Sequence, residues 1–279
     1  MTALLRLAVG DALGSQFFVP ANRAAFESRT LPPAPWQWTD DTEMAASVQL
    51  VLARHGTIDQ DALAASFAEH HDFDRGYGPS TNRLLRLIRQ GGDWRVLARE
   101  AFDGQGSWGN GAAMRVAPLG AWFAGDPAEA ARQAALSAEV THPHPEAVAG
   151  AIAVAVATAI APERPAPGVF IDRVLAHVPP GKVRDGIGEA RRLLTIGDPG
   201  TAAAVLGNGR QVAAHDTVPF TLWAAARHLG DLEAAFWTTA AAGGDIDTTC
   251  AIVCGIVDAD PPAAWVANCE PLPSWALPG

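Results

Sequence analysis

Apolar residues recur at spacings of three and four along most of this chain, while runs that alternate β-branched with polar residues are nearly absent. A repeat near 3.6 marks an amphipathic helix and a repeat of two marks a strand, so the pattern predicts an all-α fold. Candidate helices lie near residues 2–14, 42–54, 59–70, 80–90, 93–101, 111–123, 127–138, 144–160, 168–177, 182–194, 201–205, 216–228, 231–241 and 247–258. Several start on clear signals, such as Asp59, Asp126-Pro127, and Pro143 and Pro145 ahead of an alanine run. That run, Ala147 to Ala161, is the most hydrophobic segment, but its 15 residues fall short of the roughly 20 that a membrane span requires. It reads as a close-packed core helix.

Three stretches are more irregular than a bundle needs: residues 15–38, 102–111 and 161–168. No repeat or low-complexity linker divides the chain, so its 279 residues are expected to form one domain, 1–279. A net charge of −10 disfavours long-range attraction to nucleic-acid backbones or anionic membranes. The three cysteines, Cys250, Cys254 and Cys269, show no C-x-x-C spacing, and Met1 to Gly14 lacks the pattern of a signal peptide. A cytoplasmic monomer with no membrane partner is the expectation.

Two acidic clusters carry the chemistry: Trp38-Thr39-Asp40-Asp41-Thr42-Glu43-Met44 and Gly243-Gly244-Asp245-Ile246-Asp247-Thr248-Thr249. Carboxylates and hydroxyls without thiolate or imidazole suit a hard cation such as magnesium, manganese or calcium. If Asp40, Asp41, Asp245 and Asp247 converge, their four charges balance two divalent ions. Each cluster also precedes a helical apolar run, so capping is an equally good role for it, and the two roles are compatible. A continuous EF-hand loop is absent.

Gly104-Gln105-Gly106-Ser107-Trp108-Gly109-Asn110-Gly111 precedes another apolar run. It could cradle phosphate oxygens on backbone amides or be a flexible turn; it is neither a Walker loop nor a dinucleotide fingerprint. In Thr141-His142-Pro143-His144-Pro145-Glu146, two prolines stiffen a histidine-bearing loop that enters a helix. The other histidines share no ligand spacing, and the nine tryptophans are scattered as packing residues would be.

Taken in order, Gly10-Asp11-Ala12-Leu13-Gly14, Trp38 to Thr42, Gly109 to Gly120, Thr141 to Ala149 and Gly243 to Thr249 resemble the ADP-ribosylglycohydrolase family, over nearly the whole chain. The resemblance implies a single-domain orthogonal multi-helix bundle with two divalent cations, magnesium or manganese, in a cleft that takes ADP-ribose. It implies metal ligation by Thr39, Asp40, Asp41, Asp245, Asp247 and Thr248, and substrate contacts from Gly106, Ser107, Trp108, Gly109, Asn110, Gly111, Met114 and His142. The implied reaction is hydrolysis of the glycosidic bond between ADP-ribose and a modified protein or small molecule, nucleic-acid adducts included. Asp40, Asp41, Asp245 or Asp247 would serve the catalysis. Many members carry a glutamate four residues after the Gly-Asp-Ala-Leu-Gly motif; this chain has Phe18 there. Glu27, in the same loop, is a candidate replacement, and Glu43 a weaker one. The alternative is a metal-dependent ADP-ribose-binding protein without turnover.

Overall fold

The computed structural model describes residues 2–276. In chain order its helices are α1 (Ala3–Ser15), α2 (Arg23–Ser28), α3 (Asp40–His55), α4 (Gln60–His70), α5 (Pro79–Arg89), α6 (Trp94–Glu100), α7 (Ala117–Trp122) and α8 (Pro127–Glu139). There follow α9 (Pro145–Ile160), α10 (Pro167–Leu175), α11 (Lys182–Arg192), α12 (Pro199–Leu206), α13 (Ala214–Arg227), α14 (Leu232–Ala240), α15 (Ile246–Ile256) and α16 (Ala263–Asn268). Among the described residues there is no strand, and the all-α expectation holds.

Local chemistry sets many of the boundaries. Thr2, Asp59, Asp93, Asp126, Asp198 and Asp231 each accept a hydrogen bond from an amide in the first turn they cap. The spacing predicts one helix over 111–123; instead a 3-10 turn at Asn110–Ala112 is followed by α7, which starts at Ala117. Pro118 accounts for the break, because it has no N–H to give and its ring clashes with a preceding helical turn. Met114 and Arg115 therefore sit on an irregular connection rather than on a helix face. In the irregular 15–38 stretch, α2 and two 3-10 turns form.

Helix α9 lies inside the fold. With its 3-10 extension it runs Pro145–Glu163, long and apolar enough by composition to cross a membrane, yet 78% of its apolar window is buried against other helices. Small residues let its neighbours approach. A Cβ on Gly120 of α7 would lie 2.3 Å from the Ala155 carbonyl oxygen, and one on Gly150 would lie 3.0 Å from Ala214 Cβ in α13. Forcing such contacts apart typically costs about 1–3 kcal/mol.

The same device joins the two ends of the fold. On α1, a Cβ at Gly10 would meet the Cys250 carbonyl oxygen at 2.5 Å, and one at Gly14 would meet Asp247 Cα at 2.8 Å. Two glycines one helical turn apart thus seat α1 directly on α15, with Asp11 between them facing inward. One buried apolar cluster extends from Val9 to Cys269, including Trp36, Trp223, Trp237 and Trp265. Trp108 and Trp122 are the exposed exceptions.

Candidate functional site

The α3 start is held from outside. Asp11 is fully buried, and its carboxylate accepts from the Thr39 amide (2.9 Å), the Thr39 hydroxyl (2.8 Å), the Thr42 amide (3.1 Å) and the Thr42 hydroxyl (2.5 Å). Capping thus does operate here, with much of it supplied by a neighbouring helix. Upstream, the Trp36 amide donates to the Asn268 carbonyl and the Glu270 amide to the Trp36 carbonyl, both at 2.8 Å. Arg75 pairs with Glu270 at 2.7 Å, donates to the Trp38 carbonyl at 3.0 Å and covers the Trp38 ring. These contacts direct Asp40 and Asp41 into a cavity.

The α15 start is built differently. Gly243 and Gly244 adopt φ of +64° and +79°, a region that L side chains rarely enter, and a Cβ on Gly244 would lie 2.2 Å from the Asn208 carbonyl oxygen. The Asp245 amide donates to that oxygen at 3.0 Å. Its carboxylate accepts from Asn110 Nδ2 at 2.8 Å, while the same amide group reaches Thr217 Oγ1 at 3.1 Å. Asp247 accepts from the Thr248 amide at 2.8 Å, and the Thr248 hydroxyl reaches Asp41 Oδ2 at 3.4 Å. That last contact ties the two acidic loops together.

Oxygens of Asp11, Asp41 and Asp247 lie within 4.8 Å of one another. Ligand oxygens sharing one magnesium or calcium stand at most about 4–5 Å apart, twice the metal–oxygen distance. Asp41 Oδ1 is buried and has no hydrogen-bond partner, a costly arrangement for a carboxylate oxygen in a protein interior. Burial first and then like charge raise these groups: Asp40 to about 8, chiefly by desolvation and Asp11, and Asp41 and Asp247 well above the carboxylate range. Asp11 and Asp245 rise through burial as well. An all-oxygen set with an orphaned acceptor and unrelieved repulsion fits a hard cation.

The carboxylates of Asp40, Asp41, Asp245 and Asp247, with Thr248, line one end of a cavity of about 470 Å³. Ser107, Trp108, Gly109, Asn110, Gly111, Met114 and His142 line it further along, with Phe102 and Trp108 at the rim, 5.0 Å between ring centroids. Thr39 is turned into Asp11. Gly106 packs beneath the His142 loop, where a Cβ would meet Pro143 Cγ at 2.8 Å. Gly111 makes room for a ring: a Cβ there would lie 2.8 Å from Nε2 of His142. The amides of Gly104, Gln105, Gly106, Gly109 and Asn110 already donate within the protein, so the loop is more ordered than a bare glycine cradle. Burial and the Arg115 charge hold His142 down to about 3, leaving it neutral.

Glu27 does not border the cavity: on α2 it forms an exposed pair with Arg23 at 2.9 Å. Phe18 is 51% exposed. Glu43 points away, accepting from the Asp72 amide (3.0 Å) and the Tyr77 hydroxyl (2.7 Å). The sequence assigns no role to Asp11, Gln211 or Val212, the last two of which line the cavity, as do Ser80 and Thr81 of the 72–82 segment expected at its rim. A lone acid framed by glycines in an apolar helix was the available signal for Asp11; for the 207–212 loop it was Gly207-Asn208-Gly209.

Comparison with known proteins gives a consistent picture. A family model described as ADP-ribosylglycohydrolase matches residues 1–268. ADP-ribosylhydrolase ARH3 of Danio rerio is 32% identical over 153 residues, covering 50% of this chain and 41% of that protein. The Homo sapiens protein of that name is 38% identical over 110 residues, 38% of this chain and 30% of its own length. ADP-ribosyl-dinitrogen reductase glycohydrolase of Rhodospirillum rubrum is 32% identical over 155 residues, 51% of this chain and 50% of that protein. The chain spans half or less of the length of these relatives. A solved chain of an ADP-ribosylglycohydrolase-related protein complex aligns over 96% of this chain and 90% of its own, with a TM-score of 0.67 and 24% identity, a likeness of fold.

Proposed function

The chain belongs to the ADP-ribosylglycohydrolase family, and from that premise we propose that it is an ADP-ribosylhydrolase. It cleaves the glycosidic bond between ADP-ribose and a modified protein, small molecule or nucleic acid. The observation that carries this reading is the buried approach of Asp41 and Asp247 at the end of the cavity, with an orphaned Asp41 oxygen and Asp11 bracing them from behind. Residues 1–279 act as one domain, a reading supported by the continuous core from Val9 to Cys269.

Two divalent cations, magnesium or manganese, are proposed to be held by Thr39, Asp40, Asp41, Asp245, Asp247 and Thr248. Bound there, they would supply charge neutralisation and Lewis acidity. Asp11 is proposed as a support rather than a ligand, because its oxygens are taken by four donors. By taking the Thr39 proton it leaves that hydroxyl, which also accepts from the Asp41 amide at 3.4 Å, one lone pair to face a cation. The glycine-rich wall and the Phe102–Trp108 rim flank the rest of the substrate and exclude water from it. Asp40 borders the cavity and, among the described residues, no side chain bonds its carboxylate, so it is the candidate to accept the proton of the attacking water. As water adds to the anomeric carbon, the bond from that carbon to the acceptor breaks and the departing atom gains a proton; the sugar passes through an oxocarbenium-like state.

A second reading, an ADP-ribose-binding protein without turnover, is favoured by one feature: Phe18 stands where many members carry an acid, and Glu27 faces solvent. A panel of arginine-, serine- and nucleic-acid-linked adducts, run with magnesium, manganese or chelator, tests both. Metal-dependent release of ADP-ribose from any adduct supports the hydrolase. Metal-dependent ADP-ribose binding with no release from the panel supports the second reading and rejects the first.

A further inference from the structure

Arg115 is fully buried on the connection ahead of α7, and among the described residues no carboxylate pairs with it. Its guanidinium lies over the Phe67 ring, 4.6 Å from the centroid. Nη2 donates to the Ser137 carbonyl at 2.7 Å and Nη1 to Thr141 Oγ1 at 2.8 Å. Burying a cation without a counter-ion is unfavourable, and lowers its pKa to about 9, so it remains charged at neutral pH. Its contact with Thr141 leads directly towards the cavity.

Thr141 Oγ1 lies 2.6 Å from His142 Nδ1. The hydroxyl already accepts the Arg115 proton, so its own single hydrogen is free to point at Nδ1, which then must be the bare nitrogen. The opposite arrangement, Nδ1–H donating to Thr141, would aim an N–H dipole towards the guanidinium and leave the hydroxyl hydrogen to find another acceptor. The imidazole proton therefore sits on Nε2. That edge rests against Gly109 and Gly111, where a Cβ would come within 3.4 and 2.8 Å of Nε2, and the ring lines the cavity.

We propose that Arg115 and Thr141 are positioning residues that fix His142 as a neutral imidazole protonated at Nε2. In that form it is a permanent hydrogen-bond donor to a phosphate or ribose oxygen of the bound ligand. The ligand half of this proposal rests on the ADP-ribose reading; the tautomer does not. The low pKa of His142 accords with it, since a group that stays neutral serves as a donor rather than as a carrier of protons.

The full chain with 15N-labelled histidine, assigned by loss of the His142 signals in His142→Asn, is the test. Long-range proton–nitrogen spectra should show His142 protonated at Nε2 in the native protein and in Thr141→Ser. Thr141→Val keeps the side-chain shape but removes the donor; it should give mixed tautomers and weaken calorimetric ADP-ribose binding about tenfold, the weight of one hydrogen bond. Thr141→Ser should bind within about twofold of the native protein, a rescue that packing alone would not produce. Native His142 protonated at Nδ1, or Thr141→Val with an unchanged pure Nε2–H signature, overturns the proposal. Should the native protein show the expected tautomer but bind no ADP-ribose with metal present, the ADP-ribose reading falls and the tautomer assignment stands.

Discussion

The two acid-bearing helix starts reach one cavity by different construction. At α3, Asp40 and Asp41 are supported by another buried carboxylate, Asp11, through Thr39 and Thr42. At α15, Asp245 is supported by neutral dipoles, the Asn110 amide and the Asn208 carbonyl. Negative charge therefore braces negative charge on one side and uncharged groups do so on the other. The α3 side is self-opposed until positive charge arrives, so its response to cations should be the larger.

The strongest challenge to a shared site is to remove one acid from each side. Asp41→Ala and Asp247→Ala should each lower hydrolysis by about 100-fold or more while the far-ultraviolet helix signal is retained, because the cations lose a ligand and the core keeps its volume. Activity and melting temperature, with magnesium and with chelator, are measured together. Near-native turnover in either variant would dissolve the pairing.

Asp11→Asn probes the charged brace. It can no longer accept four donors as a carboxylate, so the magnesium-loaded protein should lose about 2–4 kcal/mol in urea unfolding. The chelated protein should lose less than half of that, because relief of repulsion offsets the missing bonds. Equal losses in both states would contradict the self-opposed description.

Asn110→Ala probes the neutral brace, and about 1–2 kcal/mol should be lost alike in both states. Cation affinity, read by calorimetry, should accordingly stay within about twofold, because equal losses in the two states leave the binding free energy unchanged. A loss confined to the loaded state would mean that Asn110 behaves like Asp11.

The comparison sharpens further with pH. Asp40, Asp41, Asp245 and Asp247 have folded-state pKa values above the ordinary range, with Asp40 at about 8. The folded form holds extra protons between the unfolded and folded values, so the contribution of these groups is greatest below about 4 and declines as pH rises towards the folded values. The melting-temperature gain from magnesium over chelator should be several degrees larger at about pH 8 than at about pH 5. An equal gain at both would argue against coupled carboxylates as the cation site.

The smallest effect is expected at Glu27, which belongs to neither side. Glu27→Gln should leave turnover and ADP-ribose affinity within about twofold, since it loses only an exposed ion pair. A tenfold fall in turnover would return it to the chemistry.

Much of this was legible in the sequence, and what escaped has a common cause. Helix periodicity and start signals located α3, α9 and α15 within a few residues, and both acidic loops reach the same cavity. Pro118 delayed the start of the helix predicted over 111–123 to Ala117, because one residue's missing N–H outweighs an apolar pattern. Asp11 was visible only as part of a motif: its four partners come from residues 39 and 42, and no local rule announces a cap supplied by another helix. The glycines suggested freed amides, whereas Gly106 and Gly111 make room for Pro143 and the His142 ring. The side chain of Asn110, expected to face substrate, lines the cavity and also holds Asp245. Each surprise is a contact between distant segments, which composition and spacing do not encode.

The glycine pair on α1 has a consequence for how such a chain matures on the ribosome. Gly10 and Gly14 dock against residues of α15, so α1 leaves the ribosome well before the helix it packs on. Until α15 is synthesised, Asp11 and the α3 carboxylates stand with one face of their enclosure missing. Pairings this remote in sequence form late and slowly. Capture of a divalent cation would then mark the close of folding, and a nascent chain arrested before Ile246 should have the acids of α3 but no cage to hold an ion.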